Sequence, residues 1–551
     1  MTTKNTNLLW KNFRGIRKLN TINSDVEFGA DIAHNIRLSK EKSGQIRSIR
    51  SSGFFSEYTS ASENVIRLFS ANMSGYTYPD QLVAFTKTDS AINVWIITDT
   101  TLVVSPMQIA TFPLVSDVTD VCMTQWGDRL GMMCAFGNST LGFVFYSADP
   151  NIPNATQMGT SGFYYELINV KESTTQRAVN EITSICPYGS RLAINGVTSY
   201  DAQDAETIYG IWFSEAGDPT NFTMDYLYSA TDTSAFFTEV GEKVNKLEQY
   251  HGLTAFCRNR SYNVTGSSQN DIKILPLAAK GVFGNAVFSI NGKCAYVDSW
   301  ANNLFTLRDN IDGTIGFDEP IGDDIQDYLG DVEDVTINTI GRRVRMLKSS
   351  GQSLIFDVDI GEWTEETFVE NARAVTFLNM ELFCDKTDKL YKISDVWGVG
   401  SQQTPNENGY YSHYRTNLIW LDSQSSVKSH LYPFAVILEP QTSNDFYIKF
   451  TTDRGNSYEG RVTKAGFSNI ATYSNSDAIP EDGSQFVNDD EDTSGRIFFA
   501  MSQTELLVTV ERPPFWRYLQ IDIYTTSASQ QFNISGIEAK NTTITDEMLE
   551  Y

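Results

Sequence analysis

The sequence predicts an all-β protein, built as a β-propeller of six or seven blades with a C-terminal β-sandwich domain. Short runs of Val, Ile, Phe, Tyr and Thr recur between Gly, Asn, Asp and Ser, as in strands joined by turns. A loose repeat of about 40–50 residues continues to about residue 400, and this is the spacing of four-stranded propeller blades. The longer strands that follow lack this punctuation, which is typical of a β-sandwich.

Each repeat consists of a strand, a short turn, a second strand, a polar turn and a third strand that ends in an aromatic residue. The repeats begin near residues 81, 118, 181, 244, 284, 334 and 371. The two longest intervals hold insertions, at about 150–175 and 198–235. Because one blade cannot bury its apolar faces alone, neighbouring blades must stack around an axis. The pattern leaves the count at six or seven, since one repeat is also compatible with an outer strand pair.

Composition shifts divide the chain into five segments. A Gly-, Asn- and Pro-bearing stretch near residue 400 indicates a linker, and the last residues are polar. The predicted segments are an N-terminal docking segment at 1–59, the propeller at 60–400, the linker at 401–410, the sandwich at 411–540 and a polar tail at 541–551.

Two local patterns predict single elements. Residues 321–329 place apolar side chains on one helical face, which predicts at most a few turns of helix with Asp318 as a candidate cap. Residues 451–458 are similar to the Asp-box hairpin of sialidase-type propellers, in which the Asp accepts hydrogen bonds from turn amides. A single copy indicates a hairpin and carries no catalytic meaning.

Charge is distributed unevenly along the chain. The net charge is −26, yet residues 1–50 hold ten Lys/Arg and four Asp/Glu, a balance of +6 that leaves −32 for the other 501 residues. An acidic body excludes a general nucleic-acid coat, because duplex binding needs clustered positive charge against phosphates. The basic start indicates a partner surface for this segment, and a simple solvated basic start fits the charge equally well.

No convincing catalytic, cofactor-binding or metal-binding set is found in the sequence. The four histidines, His34, His251, His413 and His430, do not occur at zinc-site spacing. The phosphate cradle GxxxxGK[ST] and the GxSxG elbow are missing. At 489–492 four consecutive acidic residues fit a solvated loop better than a calcium site. We therefore expect a protein that is not an enzyme and that binds no cofactor.

Cysteine placement and hydropathy add two expectations. Six cysteines are scattered within or beside apolar runs, so we expect buried free thiols and a reducing compartment. No run approaches the roughly 18 apolar residues of a membrane span.

The most distinctive stretch, YGIWFSEAGDPTNF, covers residues 209–222. An apolar strand ends at a serine, and the following Asp-Pro pair sets a tight turn, because Pro fixes φ and Asp bonds backbone amides. We interpret the stretch as a stabilised blade hairpin, with a ligand role as the weaker alternative. The residues assigned to this turn are Trp212, Phe213, Ser214, Asp218, Pro219 and Phe222.

The same stretch resembles a turn of the tail nozzle proteins of short-tailed (podovirus-type) bacteriophages, also called tail hub or stabilisation proteins. Further phrases are similar to that family and follow its order over about residues 10–540. The sequence departs from the family at Gly15-Ile16-Arg17, where paired glycines are more frequent. The additional phrases are Asn12–Gly15 with Leu19-Asn20, Ala33–Arg37, Ser43–Arg47, Gly284–Gly292 and Tyr411–Thr416.

This resemblance implies a structural virion protein, assembled in the host cytoplasm as a homohexameric ring below the portal and adaptor proteins. Its implied partners are its own copies, the adaptor or head-to-tail proteins, tail fibres, and genomic DNA that passes through the lumen without sequence-specific binding. An acidic wall fits a conduit because it repels phosphates. As a hypothesis, docking is assigned to Trp10, Phe13, Arg14, Arg17, Lys18, Arg37, Arg47 and Arg50. Deleting residues 1–20 is then expected to leave a folded protein that no longer joins tails.

Two other functions stay open. A carbohydrate-binding or sialidase-like propeller, acting as a receptor-binding protein, needs an arginine cluster and a carboxylate at the propeller mouth. The third possibility is a general interaction scaffold. The arginines available for a carbohydrate site are Arg191, Arg258, Arg260, Arg342, Arg343 and Arg345.

Overall fold

A computed structural model of the chain contains two compact units. The propeller unit consists of Phe54–Gly351 and Val369–Lys392, and the sandwich unit consists of Met1–Gly53, Gln352–Phe368 and Ile393–Tyr551. The structure describes residues 3–10, 13–16, 28–39, 45–48, 53–57, 64–72, 80–100, 103–113, 121–127, 129–136, 139–147, 156–157, 163–168, 178–180, 182–199, 207–224, 231–290, 293–310, 315–317, 320–330, 335–340, 343–367, 372–378, 380–384, 389–393, 411–420, 427–430, 434–438, 444–452, 457–464, 497–501, 505–510, 515–516, 518–527, 530 and 532–546.

The strands are numbered in chain order. The first six are β1 (Thr3–Trp10), β2 (Phe13–Ile16), β3 (Phe28–His34), β4 (Ile36–Ser39), β5 (Gln45–Ser48) and β6 (Gly53–Glu57). The next group is β7 (Asn64–Asn72), β8 (Asp80–Lys87), β9 (Ala91–Thr100), β10 (Val103–Pro113), β11 (Cys122–Trp126), β12 (Arg129–Phe136), β13 (Ser139–Ser147), β14 (Thr156–Gln157), β15 (Phe163–Leu167), β16 (Ala178–Asn180), β17 (Ile185–Tyr188), β18 (Arg191–Ser199), β19 (Thr207–Phe213) and β20 (Phe236–Glu239). Then follow β21 (Val244–Gln249), β22 (Leu253–Cys257), β23 (Arg260–Thr265), β24 (Lys273–Lys280), β25 (Val282–Ile290), β26 (Lys293–Asp298), β27 (Asn303–Asp309), β28 (Ile315–Phe317), β29 (Val335–Ile340), β30 (Arg343–Lys348), β31 (Gln352–Asp357), β32 (Glu362–Thr367), β33 (Arg373–Phe377), β34 (Met380–Cys384) and β35 (Lys389–Ile393). The last group is β36 (His413–Thr416), β37 (Ile419–Trp420), β38 (Val427–His430), β39 (Phe434–Leu438), β40 (Asn444–Thr452), β41 (Ser457–Lys464), β42 (Ile497–Met501), β43 (Glu505–Val510), β44 (Phe515–Trp516), β45 (Tyr518–Tyr524) and β46 (Asn533–Asp546).

The propeller unit is a series of antiparallel sheets, most of them built from consecutive strands. The first five are β7 to β10, β11 to β15, β16 to β20, β21 to β24 and β25 to β28, and the sixth begins with the hairpin β29–β30. The seventh has the order β33-β34-β35-β6, so its outermost strand comes from a segment that precedes the first sheet. β6, which precedes the first blade in the chain, thus completes the last blade, and this closes a ring of seven blades.

Apolar side chains fill the spaces between neighbouring blades. Val65 and Leu68 on β7 share a core with Val375 and Phe377 on β33, which joins the first blade to the seventh. The fold class predicted from the sequence is therefore confirmed, and the strands that the structure describes in this unit form seven blades.

The sandwich unit contains two sheets. One has the order β4-β5-β46-β39-β43-β42, with β1 and β38 also paired to β46, and the other runs β31-β32-β3-β36-β45-β40-β41. Alternate residues of β40 are fully buried, as expected for a strand with one face on a core: Phe446, Ile448 and Phe450.

Strands from the two ends of the chain pair within the sandwich unit. β1 runs antiparallel to β46, with Thr3 opposite Thr545 and Trp10 opposite Ile537. Residues 1–48, assigned above to a docking segment, thus supply strands to both sheets. Residues 541–546, assigned above to a polar tail, continue β46. These strands are rich in Thr and Asn, so their sequence lacks a strong apolar alternation.

The two local patterns differ in outcome. The apolar stretch near 321–329 forms one short 3₁₀ helix, Asp323–Tyr328, which begins after Gly322 and not at Asp318. The hairpin predicted at 451–458 is confirmed, since β40 pairs with β41 and Thr451 lies opposite Ser457. The predicted linker 401–410 and the acidic loop 489–492 lie outside the described residues.

Candidate functional site

The first predicted docking residues lie inside the sandwich unit. The Phe13 side chain is 2% exposed, and its ring meets the Tyr414 ring edge-on at a centroid distance of 5.4 Å. The Tyr414 hydroxyl donates a hydrogen bond to the Arg14 carbonyl oxygen at 3.1 Å. Gly15 packs so closely that a Cβ atom there would lie 2.1 Å from the Trp363 carbonyl oxygen. Only glycine fits this position without a shift of the backbone.

Two of the predicted docking arginines pair with carboxylates of β32. Arg14 Nη1 lies 3.2 Å from Glu362 Oε1, and the buried Arg37 side chain pairs with the buried Glu366. A buried charge is stable only when paired, so Arg37 pairs with the buried Glu366 and the half-buried Arg14 pairs with the buried Glu362. Both arginines therefore have a structural role within one chain.

The other predicted docking residues are only partly described. Trp10 lies on β1 and Arg47 on β5, opposite Arg37. Arg17, Lys18 and Arg50 lie outside the described residues. A docking role for these five positions stays a prediction.

Asn35 joins two phrases that are far apart in the sequence. Its φ of +52° is left-handed, a conformation that Asn tolerates better than most residues. Its Nδ2 donates to the Tyr411 carbonyl oxygen at 2.8 Å, and the Ser412 hydroxyl donates to the Asn35 carbonyl oxygen at 2.7 Å. Asn35 Oδ1 accepts a hydrogen bond from the Thr367 amide at 3.1 Å.

A histidine–carboxylate–arginine group lies beside this junction. His413 Nε2 lies 2.8 Å from Asp522 Oδ1, and Arg415 Nε donates to the same oxygen at 2.7 Å. Burial raises the pKa of Asp522, but the hydrogen bonds from His413 and Arg415 outweigh it, so the net pKa is lowered. His34, opposite His413 in the register, has its own carboxylate, Glu365, at 3.6 Å. Among the described residues, no three His, Cys, Asp or Glu side chains are grouped so that they could hold a metal ion.

The predicted hairpin stretch at 209–222 consists of the end of β19 and the first part of the loop that leads to β20. Trp212 and Phe222 are fully buried in one cluster between the second and third blades, and Phe213 is buried in the next cluster. Asp218 Oδ1 accepts hydrogen bonds from the amide and the hydroxyl of Thr220, at 2.9 and 2.7 Å. These contacts arise within the chain itself and leave no apolar ring of the hairpin exposed.

The Ser214 hydroxyl and the chain around it are anchored from the neighbouring strand. The Leu192 amide donates to Ser214 Oγ at 2.9 Å, and the Gly217 amide donates to the Ser190 carbonyl oxygen at 2.8 Å. Gly217 has a φ of +83°, which favours glycine. Pro219 follows Asp218 within this turn.

Arg191 organises the surroundings of the turn, a role that no pattern in the sequence predicts. The side chain is 2% exposed, and Nη1 donates to the carbonyl oxygens of Ser214 and Ser234 at 2.5 and 2.9 Å. Nε donates to the Ser267 carbonyl oxygen in the next blade at 3.0 Å. Burial lowers the pKa of Arg191. An arginine at the start of a strand has no distinguishing neighbours, so only the fold reveals that it satisfies several carbonyl groups.

The arginines proposed for a carbohydrate site are dispersed by the fold. Arg191 donates hydrogen bonds to carbonyl oxygens of the third blade. Arg345 forms a buried pair with Glu381, with Nε 2.5 Å from Oε1. Arg258 is exposed in the turn before β23, Arg260 is the exposed first residue of β23, Arg343 is half-buried, and Arg342 lies outside the described residues. Two of the six side chains are therefore committed to internal contacts.

A central cavity of about 320 Å³ lies among the described residues of the propeller unit. Every blade contributes residues to the wall, from β17 and the residues just before it in the third blade and from the first strand in the others, as expected for the axis of a propeller. One lining residue from each blade, in order, is Arg67, Cys122, Ile185, Lys246, Asn285, Thr339 and Ala374.

Hydrogen bonds between blades surround this cavity. Arg67 Nε donates to the Val121 carbonyl oxygen at 3.2 Å, which links the first blade to the second. The Thr183 hydroxyl donates to the Asn245 carbonyl oxygen at 2.8 Å, between the third and fourth blades. The wall thus combines polar side chains with the backbone of neighbouring blades, and sequence reasoning did not identify it because its members lie on seven separate strands.

The cysteines do not add reactive groups to the described sites. Five of them are buried and free, as expected from the sequence: Cys122, Cys186, Cys257, Cys294 and Cys384. Burial raises the pKa of Cys186 to about 12, so its thiol stays protonated at neutral pH. No helix among the described residues has the length and apolar character needed to cross a membrane.

Comparisons with known proteins find similar folds only at low similarity. No protein-family model and no curated protein matches the sequence. A structure of BBS1N in complex with ARL6DN is 10% identical, covers 63% of this chain and 98% of its own, and has a TM-score of 0.34. BamB from Moraxella catarrhalis is 9% identical, covers 73% of this chain and 100% of its own, and has a TM-score of 0.33. The Dos1 propeller is 10% identical, covers 71% of this chain and 96% of its own, and has a TM-score of 0.32. At these TM-scores the likenesses carry no argument about function.

Proposed function

We propose that this chain is a structural protein of a bacteriophage tail, which forms the wall of the nozzle through which DNA leaves. The proposal includes a ring of like subunits, contacts with adaptor proteins and tail fibres, and no enzymatic activity. It rests first on the resemblance described above, and the contacts of three phrases that carry this resemblance support it.

Three of those phrases meet in the sandwich unit. The phrase at 12–15 contacts the phrase at 411–416 through Phe13 and Tyr414, and the phrase at 33–37 contacts it through Asn35 and Ser412. Matches that arose by chance, hundreds of residues apart, would have no reason to come together in one cluster. This convergence is the observation that best supports the proposal.

Charge gives independent support. Each DNA phosphate carries a negative charge, so a protein with a net charge of −26 repels a duplex. A basic wall would instead bind the phosphates. A conduit has to pass DNA without binding it. The ring is expected to close by one heterologous interface used repeatedly.

The native mass of the purified chain tests the proposal. We expect a particle of about six times 61.8 kDa, with a ring in negative-stain images. Duplex DNA should not be retained at physiological salt. A monomer at every concentration, together with binding to members of a glycan panel, would replace this function with a carbohydrate-binding propeller. A monomer that binds no glycan would favour a general interaction scaffold.

A further inference from the structure

The most exposed large apolar side chain among the described residues belongs to Trp300. It is 68% exposed and lies in the turn that joins β26 to β27. The corresponding turns of the first and fourth blades, at 88–90 and 258–259, hold only polar residues. Because the burial of an apolar ring is favourable, an exposed tryptophan gains free energy when a partner covers it.

The turn that carries Trp300 is held in one geometry. Asp298 Oδ1 accepts hydrogen bonds from the amides of Trp300 and Ala301, at 2.9 and 2.6 Å. Asn302 has a left-handed φ of +47°, and its Nδ2 donates to the Gln326 carbonyl oxygen at 3.0 Å. The backbone of the turn is therefore preorganised, and a partner does not have to order it on binding.

Two exposed arginines of the fourth blade adjoin the first half of this turn. The Ser299 hydroxyl donates to the Arg258 carbonyl oxygen at 2.7 Å, and Arg260 follows two residues later. One carboxylate also reaches the arginine turn, since Glu242 Oε2 accepts hydrogen bonds from the Asn259 amide and Nδ2 at 3.1 and 3.0 Å. Two arginines against one carboxylate leave a local excess of positive charge.

The second half of the turn adjoins an acidic element. The 3₁₀ helix 323–328 holds three aspartates and no basic residue, and Asn303 Nδ2 donates to Asp323 Oδ1 at 2.5 Å. Lys348 also reaches this helix, but it is buried and donates to a carbonyl oxygen there. A DNA backbone carries the same charge along its length and would be repelled on the helix side. A protein surface can match both signs.

Copies of this chain need such a patch in order to associate. Each copy carries a net charge of −26, so two acidic surfaces repel each other when they approach. A contact in which a basic patch of one copy meets the acidic surface of the next replaces this repulsion with attraction. Tryptophan and arginine are also among the residue types that contribute most to binding in protein interfaces.

We propose that Trp300, with Arg258 and Arg260, anchors the contact between neighbouring copies of this chain and docks on an acidic surface of the next copy. This inference rests on the proposed function, in which the ring uses one such contact repeatedly. The tryptophan supplies apolar area that is buried on association, and the arginines select an acidic partner and fix its orientation.

Light scattering of the purified full-length chain over a concentration series tests the tryptophan. Trp300→Ala should weaken the association of copies at least about thirtyfold, which is the size of effect expected of an interface hot spot. The variant should therefore reach the wild-type mass only at far higher concentration. Leu378→Ala is the matched control, because Leu378 is 42% exposed on the seventh blade and its loss should leave the mass unchanged.

Charge reversal tests the arginines. Arg258→Glu places a negative charge against the acidic surface of the next copy, so association should weaken. Lys273→Glu changes the net charge equally on the exposed outermost strand of the same blade, and its effect should be much smaller. Equal effects of the two reversals would show that only net charge matters, and this would overturn the role of the arginines. Circular dichroism of each variant verifies that the fold is retained.

The possible outcomes separate this inference from the ring itself. A wild-type ring that Trp300→Ala leaves intact at every concentration overturns the inference while the proposed function stands. A wild-type dimer that the same substitution dissociates supports the contact between copies and overturns the ring. A monomeric wild type overturns both. DNA binding by the wild type that is lost in Arg258→Glu would assign the patch to nucleic acid instead of a second copy.

Discussion

The two units of this protein differ in how far along the chain their strand partners lie. In the propeller unit, β7 pairs with β8 and β18 with β19, so most sheets close within one repeat. In the sandwich unit, β1 pairs with β46 and β3 with β36, across hundreds of residues. The propeller therefore depends on local hairpins and on packing between neighbouring blades, whereas the sandwich depends on both ends of the chain being present.

The largest expected effect follows from removing one end. Deletion of residues 1–16 removes β1 and β2, and with them the buried Phe13 ring. Loss of a buried phenylalanine alone costs about 3–5 kcal/mol, which is comparable with the total stability of many domains. We therefore expect the sandwich unit to lose its cooperative unfolding transition. This replaces the expectation, drawn from the sequence alone, that a chain without residues 1–20 stays folded.

Calorimetry and limited proteolysis measure this effect. The deleted chain should lose one transition, and protease should remove sandwich peptides while the propeller fragment persists. Trp300→Ala is the control, because this tryptophan is 68% exposed and its loss should leave both transitions in place. Two intact transitions after the deletion would mean that β1 and β2 are dispensable to the sandwich.

Within the propeller, the largest effect of a single substitution is expected at Trp212. The side chain is fully buried between the second and third blades, so Trp212→Ala should lower the free energy of unfolding by about 3–5 kcal/mol. Denaturant unfolding followed by circular dichroism measures the change, with Trp212→Phe as a variant that retains an aromatic ring. An unchanged midpoint combined with lost partner binding would make Trp212 a contact residue instead of a core residue.

The same contrast explains what the sequence predicts and what it does not. Blades are predicted because each repeat carries its own alternation and turns, as in the strand that ends at Phe213. The strand role of residues 3–10 is missed, since Thr, Asn and Lys dominate there and the partner strand lies near the other end of the chain. Arg191 and Lys246 are missed for a related reason: nothing in their neighbours along the chain marks the carbonyl groups or the cavity that they meet in the fold.

A smaller effect than that of Trp212→Ala is expected in the stability of the sandwich unit at acid pH. In the sandwich, the hydrogen bonds to Asp522 hold its pKa below the unfolded value of about 3.9 despite burial. A lowered folded pKa contributes stability above the unfolded pKa, and this contribution is lost as the pH falls through the folded pKa. We therefore expect the Tm of the sandwich transition to decrease once the pH is lowered below about 4. In Asp522→Asn this decrease of Tm with pH should be smaller.

The control for this pH dependence lies in the propeller. Asp271 is exposed, and hydrogen bonds from the Ser268 and Ser267 amides lower its pKa to about 2. Asp271→Asn should leave the acid response of the sandwich transition unchanged. If Asp522→Asn and the wild type lose stability in parallel between neutral and acid pH, another group controls the acid limb.

The smallest expected effect lies in the turn that follows Trp212. Pro219→Ala should lower the free energy of unfolding by only about 0.5–1 kcal/mol, because the substitution mainly increases the freedom of the unfolded chain. Gly217→Ala, two residues earlier, acts on the folded state instead: with a φ of +83° and no atom within 4 Å of the added Cβ, its cost is purely conformational, about 1–2 kcal/mol. Parallel denaturant titrations of the two variants measure both losses of unfolding free energy, and we expect the loss in Gly217→Ala to be the larger. If Pro219→Ala proves the more costly substitution, proline fixes the folded turn directly, and the hydrogen bonds to Asp218 do not suffice to hold it.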